Sequence, residues 1–252
     1  MLHVHDLSLR AGERLLVQEL RFTAAGGEFI AILGRNGCGK SLTLHTLAGL
    51  RGAQSGRIEL DGTDLATMKR PAIARRLGLL PQDREESLPL SLLEATLTGR
   101  HPHLRLWQQH GAQDEQIARD ALASFGLGEL QRRALLTLSG GEQRRAAMAA
   151  LLAQQPAVYL LDEPTNHLDP HQQLQVLTLF RSLCMQGATV IATLHDPSLA
   201  DRFADRVLLM HGDGRWQLGA SGELLNATTL SELYLTPLMQ LGEPGRRAFI
   251  PA

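Results

Sequence analysis

The chain is expected to fold as an α/β domain: a core with a mainly parallel sheet, an antiparallel β subdomain and an inserted helical lobe. Three observations predict this. Short apolar runs at 29–33 and 157–161, with a further strand at 188–193, alternate with helix-length segments, the pattern of a mainly parallel sheet. Residues 2–9 instead alternate apolar and polar positions, and a turn leads from them into a further strand over 14–22. Residues 87–133 change to helix-like segments punctuated by Pro89, Gly99, Pro102, Gly111, Gly126 and Gly128.

In chain order, 2–9 and 14–22 are predicted strands about the turn Arg10-Ala11-Gly12-Glu13, and Gly26-Gly27 breaks the chain before strand 29–33. A helix over 40–48 ends at Gly49; 56–60 and 77–80 are strands. The lobe occupies 87–133, and 1–86 with 134–252 form the core and its β subdomain, in one domain. The core resumes with helix 141–154, strand 157–161, helix 170–186 and strand 188–193. Strands 206–210 and 215–218 follow, about the turn His211-Gly212-Asp213-Gly214. The loops of interest are predicted to gather at the carboxyl edge of the sheet. The tail after Met210 offers no readable function.

Composition excludes more than it selects. A length of 252 residues supports one sizeable core, and 44% hydrophobic residues is ordinary for a soluble domain. A net charge of −1 supplies no basic face for nucleic acid. Lys40 and Lys69 are the only lysines, and Lys40 sits where the motif below needs an ammonium. Cys38 and Cys184 are too few for a disulfide framework and suit a reducing compartment. No run approaches the roughly 18 apolar residues of a membrane span, and the N-terminus lacks a signal-peptide core. A role at a membrane therefore requires a partner.

Gly34-Arg35-Asn36-Gly37-Cys38-Gly39-Lys40-Ser41 fits the P-loop pattern, and it stands between a predicted strand and helix as a true P-loop must. Its backbone N–H groups would cradle phosphate oxygens, Lys40 would reach the β- and γ-phosphates, and Ser41 would ligate Mg²⁺. Cys38 lies inside this loop, so bound nucleotide is expected to shield its thiol from alkylating reagents. A second loop, Leu138-Ser139-Gly140-Gly141-Glu142-Gln143, opens a long helix and offers another anion site. Val158-Tyr159-Leu160-Leu161-Asp162-Glu163 is an apolar strand delivering two carboxylates, of which Asp162 would hold Mg²⁺ and Glu163 would polarise an attacking water. His195 follows strand 188–193, Gln82 follows Leu79-Leu80-Pro81, and Asp169 suits a helix cap before Pro170.

Together these motifs resemble the ATP-binding cassette (ABC) ATPases, from Leu2 to about Met210, with five motifs in the family's order. The resemblance implies a P-loop NTPase fold and a head-to-tail homodimer with ATP and Mg²⁺ as cofactors. Gly34, Asn36, Gly37, Cys38, Gly39, Lys40, Ser41 and Leu42 would bind ATP. Ser139, Gly140, Gly141 and Glu142 would bind, in trans, the ATP held by the partner. Glu163, His195 and Gln82 would carry the hydrolytic step, with Ser41, Gln82 and Asp162 at the metal. Asn166 and Asp169, in the D-loop, would lie at the dimer interface.

Two positions depart from the family pattern. Ala11 stands where an aromatic ring often stacks on adenine, leaving Arg10 or Arg14 as substitutes; Leu42 replaces a threonine that helps hold the α-phosphate. The opening Leu88-Pro89-Leu90-Ser91-Leu92-Leu93-Glu94 and the run Thr98-Gly99-Arg100-His101-Pro102-His103 are similar to importers of ferric siderophores, haem or cobalamin. That subfamily implies integral membrane permease subunits, an extracytoplasmic substrate-binding protein, and a peripheral site on the cytoplasmic face of the bacterial inner membrane. A non-membrane ABC ATPase, such as an iron–sulfur cluster assembly factor, is the alternative. His3/His5 and His101/His103 are expected to be structural, and Trp107 to be lobe core or a partner contact.

Overall fold

A six-stranded sheet lies at the centre of the chain, in a computed structural model that describes residues 1–82, 89–105 and 107–252. The expected lobe boundary at Ser87, and Leu88 beside it, fall outside the described residues. β1 (Leu2–Ala11) and β2 (Arg14–Ala24) form the predicted hairpin, turning through Gly12 at a φ of 59°. β4 (Ser55–Leu60) and β5 (Thr63–Asp64) complete an antiparallel sheet of order β2-β1-β4-β5.

The central sheet has the order β10-β9-β3-β8-β7-β6. β3 (Phe29–Leu33), β6 (Leu77–Leu80), β7 (Val158–Leu161), β8 (Thr189–Thr193) and β9 (Arg206–Met210) are mutually parallel; β10 (Trp216–Ala220) runs antiparallel at one edge. Every residue of β3, β7 and β8 is buried, which explains the unbroken apolar runs of β3 and β7. Their side chains still alternate between two cores. Phe29, Ala31 and Leu33 enter one with Leu122, Met148 and Phe180, while Ile30 and Ile32 enter another with Leu20, Leu44 and Ile58.

α1 (Lys40–Leu47) follows β3 and lies on the hairpin side with α2 (Arg70–Ala74). α3 (Leu92–Leu97) and α4 (Ala112–Ser124) pack on α5 (Gly140–Gln154), the helix opened by the second loop. Leu92, Leu122 and Phe125 share a cluster with Phe29 and Phe180, so the helical segment has no core separate from the sheet. Trp107 is not part of that core; it is 93% exposed. α6 (Pro170–Met185) and α7 (Pro197–Phe203) each begin with proline after an aspartate cap, Asp169 and Asp196.

The tail folds more fully than its sequence suggests. After α8 (Ser221–Leu224) and α9 (Ala227–Tyr234), β11 (Leu238–Leu241) pairs with β12 (Ala248–Pro251). Its anchor is a buried ion pair. Arg247 binds Asp201 of α7 through Nε at 2.8 Å and through its backbone N–H at 2.9 Å, and the guanidinium also donates to the Gly222 and Ser221 carbonyls at 3.1 Å. Removing one partner leaves the other charge buried, so Asp201→Ala should lower unfolding free energy by ~3–5 kcal/mol. Chemical denaturation checks this; a loss below about 1 kcal/mol would mean the tail is not anchored there.

Candidate active site

The carboxyl ends of β3, β8, β7 and β6 lie side by side, and each delivers one element of a cleft of about 650 Å³. Its wall includes Asn36, Gly37, Gly39, Lys40, Ser41, Leu42, Gln82, Glu163, Asn166 and His195, drawn from parts of the chain more than a hundred residues apart.

The loop after β3 is shaped by close packing. A side-chain carbon at Gly34 would sit 2.4 Å from the Met210 carbonyl oxygen, and one at Gly39 would sit 3.1 Å from Leu16. Lys40 is only 5% exposed, and its ammonium donates to the carbonyls of Gly34 at 2.7 Å and Arg35 at 3.3 Å. Those acceptors hold the charge at the loop itself, where phosphate oxygens could compete for it. Cys38 points the other way: it is 2% exposed, and burial pushes its thiol up despite the Lys40 ammonium. The fold itself, rather than bound nucleotide, therefore covers this thiol.

Glu163 is the centre of the polar network. Its backbone takes a φ of 49°, unusual for a residue with a side chain, and its carboxylate is directed into the cleft wall. Gln82 Nε2 donates to Glu163 Oε2 at 2.9 Å, Asn166 Nδ2 donates to the same oxygen, and His195 Nε2 lies 2.6 Å from Oε1. Asn166, expected at a dimer boundary, thus makes this contact within its own chain. Asp162 is fully buried at the end of β7, its Oδ1 accepting from Thr193 Oγ1 at 2.8 Å. The Glu163 N–H donates to that same hydroxyl at 2.7 Å, so one threonine fixes both acidic residues. Asp162 Oδ2 has no partner among the described residues. A buried carboxylate oxygen without a protein donor, on the residue preceding the cleft's Glu163, is a suitable oxygen donor for Mg²⁺.

Two polar anchors escaped the motif reading. Thr193 closes the apolar strand β8, and a hydroxyl ending such a run was the available signal. Arg144 lies on the buried side of α5, directing its guanidinium to the carbonyls of Pro81, Gln82, Asp162 and Glu163. An arginine among the buried positions Ala147, Met148 and Leu151 was its signal. Arg51, also unforeseen, lines the cleft with Ala11 and Leu42, the two departures from pattern. The expected substitutes are engaged elsewhere: Arg10 donates to Glu13 O at 3.1 Å, and Arg14 to Gly212 O at 2.8 and 3.1 Å.

The second loop does not reach this cleft: none of Ser139, Gly140, Gly141 or Glu142 is among its lining residues. Ser139 caps α5, its hydroxyl and backbone N–H both donating to Glu142, at 2.9 and 2.7 Å. The Ser139 backbone bond, foremost, holds the Glu142 carboxyl below its usual range. Gly140 is exposed, while Gly141 lies close to the His167 carbonyl. Asp169 accepts from the Gln172 N–H at 2.9 Å as the cap of α6. The histidine pairs are held by the fold, His3 against His5 and His101 against His110, with His103 Nε2 donating to Gln154 O at 2.8 Å. Among the described residues, no group of three or more His, Cys, Asp or Glu could hold a metal ion by itself.

Residues 17–166 match the ABC transporter family. The chain is 43% identical over 214 residues to the hemin import ATP-binding protein HmuV of Deinococcus radiodurans, covering 83% of this chain and 80% of that one. It is 34% identical over 240 residues to the ferric enterobactin transport ATP-binding protein FepC of Escherichia coli, covering 95% and 89%. A structure of an inward-facing metal-chelate type ABC transporter superposes with a TM-score of 0.86 at 30% identity, over 100% of this chain and 97% of that one.

Both thiols are buried, and burial pushes Cys184 up to about 11 and Cys38 above its ordinary value. Thiol-specific reagents at pH ~8 should therefore label neither in the native protein and both after denaturation. Rapid native labelling of Cys38, suppressed by nucleotide, would overturn this and return the shielding role to the ligand.

Proposed function

This chain belongs to the ABC transporter family, and on that premise we propose that it powers import of an iron-bearing chelate, a ferric siderophore or haem, through partner membrane subunits. It binds nucleotide and is an ABC-type ATPase. The observation that carries the residue assignments is the convergence of Gln82, Asn166 and His195 on one carboxylate, Glu163, across the cleft from the P-loop.

In this reading, backbone N–H groups from Gly34 to Ser41 cradle the phosphates, with Leu42 beside them, and Lys40 exchanges its carbonyl partners for the β- and γ-phosphates. Glu163 takes up a proton as water attacks the γ-phosphate, while His195 contacts the same phosphate and steadies the carboxylate. Gln82 relates this group to the helical lobe. Mg²⁺, when bound, would supply positive charge that offsets the charge developing on the phosphates. Ser41 and Asp162 would hold it, with Gln82 at its margin. Because the Ser139 turn lies away from this cleft, Ser139, Gly140, Gly141 and Glu142 serve ATP bound to a second copy, in a head-to-tail dimer with Asn166 and Asp169 near the seam.

No helix among the described residues is long and apolar enough to cross a membrane. In this proposal the dimer works as a peripheral assembly on the cytoplasmic face of the bacterial inner membrane, beneath permease subunits served by an extracytoplasmic binding protein. The exposed Trp107 belongs to the stretch that meets them. Dimer closure can drive the permease only through the difference in ATP affinity between its open and closed states. The names of the haemin and enterobactin relatives favour an iron chelate over the cobalt-centred cobalamin.

Glu163→Gln should bind MgATP, lose ~10²–10⁴-fold in turnover and accumulate as an ATP-bound dimer in size-exclusion chromatography. Normal turnover would remove Glu163 as the base. Captured from native membranes with MgATP, this variant should carry a polytopic membrane subunit. Cells lacking the chain should fail to grow on a ferric siderophore or on haem as sole iron source; growth on both would overturn the cargo.

A further inference from the structure

We propose that Arg144 is a positioning residue that transmits occupancy of the Ser139 turn to Glu163 and Gln82 of the same chain. The proposal rests on the reading that this turn contacts ATP held by a second copy.

α5 is capped at Ser139 and continues unbroken to Gln154, so its first turns move as one body. Arg144 lies five residues from the cap, about 7–8 Å along the helix axis. Arg144 is 8% exposed, and its guanidinium donates through Nη1 to Pro81 O at 2.6 Å and Gln82 O at 3.0 Å. Nη2 donates to Glu163 O at 3.0 Å and to Asp162 O. These acceptors form two consecutive pairs, one just past β6 and the other just past β7.

The planar fork of an arginine presents its donors at fixed spacing. Here one fork sets the separation between the two backbone segments whose side chains, Gln82 and Glu163, also meet at 2.9 Å. A displacement of α5 must shift both segments together or break these bonds. The P-loop, in contrast, follows β3, which β8 separates from β7 in the sheet. Arg144 therefore acts on the group that activates water and leaves the phosphate cradle alone.

Arg144→Gln and Arg144→Lys test this beside the wild type, with ATP turnover, its cooperativity, MgATP affinity and melting temperature measured for each. Arg144→Gln should lose roughly tenfold to a hundredfold in kcat and become non-cooperative in ATP, while MgATP affinity stays within about twofold. Arg144→Lys, which keeps the charge and part of the reach, should recover some of the kcat and the cooperativity. Unchanged kcat and cooperativity in Arg144→Gln would overturn the proposal. So would a fall in kcat matched by weaker MgATP binding and a lower melting temperature, with no rescue by lysine, since that is the signature of a residue needed only to fold. A wild type that hydrolyses ATP without cooperativity would overturn the two-copy reading, and the transmission with it.

Discussion

Every reactive group of the cleft depends on the parallel pairing of β6, β7, β8 and β3, because that pairing brings four chain segments to one edge. Leu80 pairs with Leu161, Leu161 with Ala192, and Thr193 with Ile32, so the strands end nearly flush. Gln82, Asp162, Glu163 and the P-loop then emerge at one level, with His195 two residues beyond β8. A one-residue slip in β7 would exchange the faces of Tyr159 and Leu160 and turn Asp162 away from Thr193. The two hydrophobic cores guard against that slip, since each takes alternate residues of the same strands.

Polar groups at this edge are buried at a cost that must be met locally. Thr193 meets part of it by donating to Asp162 and accepting from the Glu163 N–H. Arg144 meets another part by satisfying carbonyls at the ends of β6 and β7. These bonds also hold Glu163 in its left-handed backbone conformation, which releases its side chain from the β alternation. Rigidity and reactivity therefore share the same few contacts.

The parallel core was legible because strands buried on both faces leave unbroken apolar runs, and 29–33, 77–80 and 206–210 agree with β3, β6 and β9 to the residue. The P-loop and the acidic pair were legible because their chemistry demands particular residues at fixed spacing. The tail was not, since what orders β11 and β12 is the pairing of Arg247 with Asp201, 46 residues earlier. Nothing in a local window announces such a partner. α7 escaped for a simpler reason: seven residues after a proline carry too little periodicity. Arg144 escaped because its partners are backbone carbonyls, which every residue shares, and Thr193 because its partners lie at the end of another strand, about 30 residues earlier. The boundary drawn at 133–134 also proved less sharp in packing terms, as α5 is the common wall of helical segment and sheet.

The direction in which Cys38 points has a consequence for survival under oxidative stress. Peroxide attacks thiolates, and both sulfurs here are buried and held in the thiol form. Sulfenic acid formation at the phosphate loop would need prior local unfolding. With both thiols enclosed in this way, the folded ATPase needs no reductant to restore its phosphate loop after a pulse of peroxide.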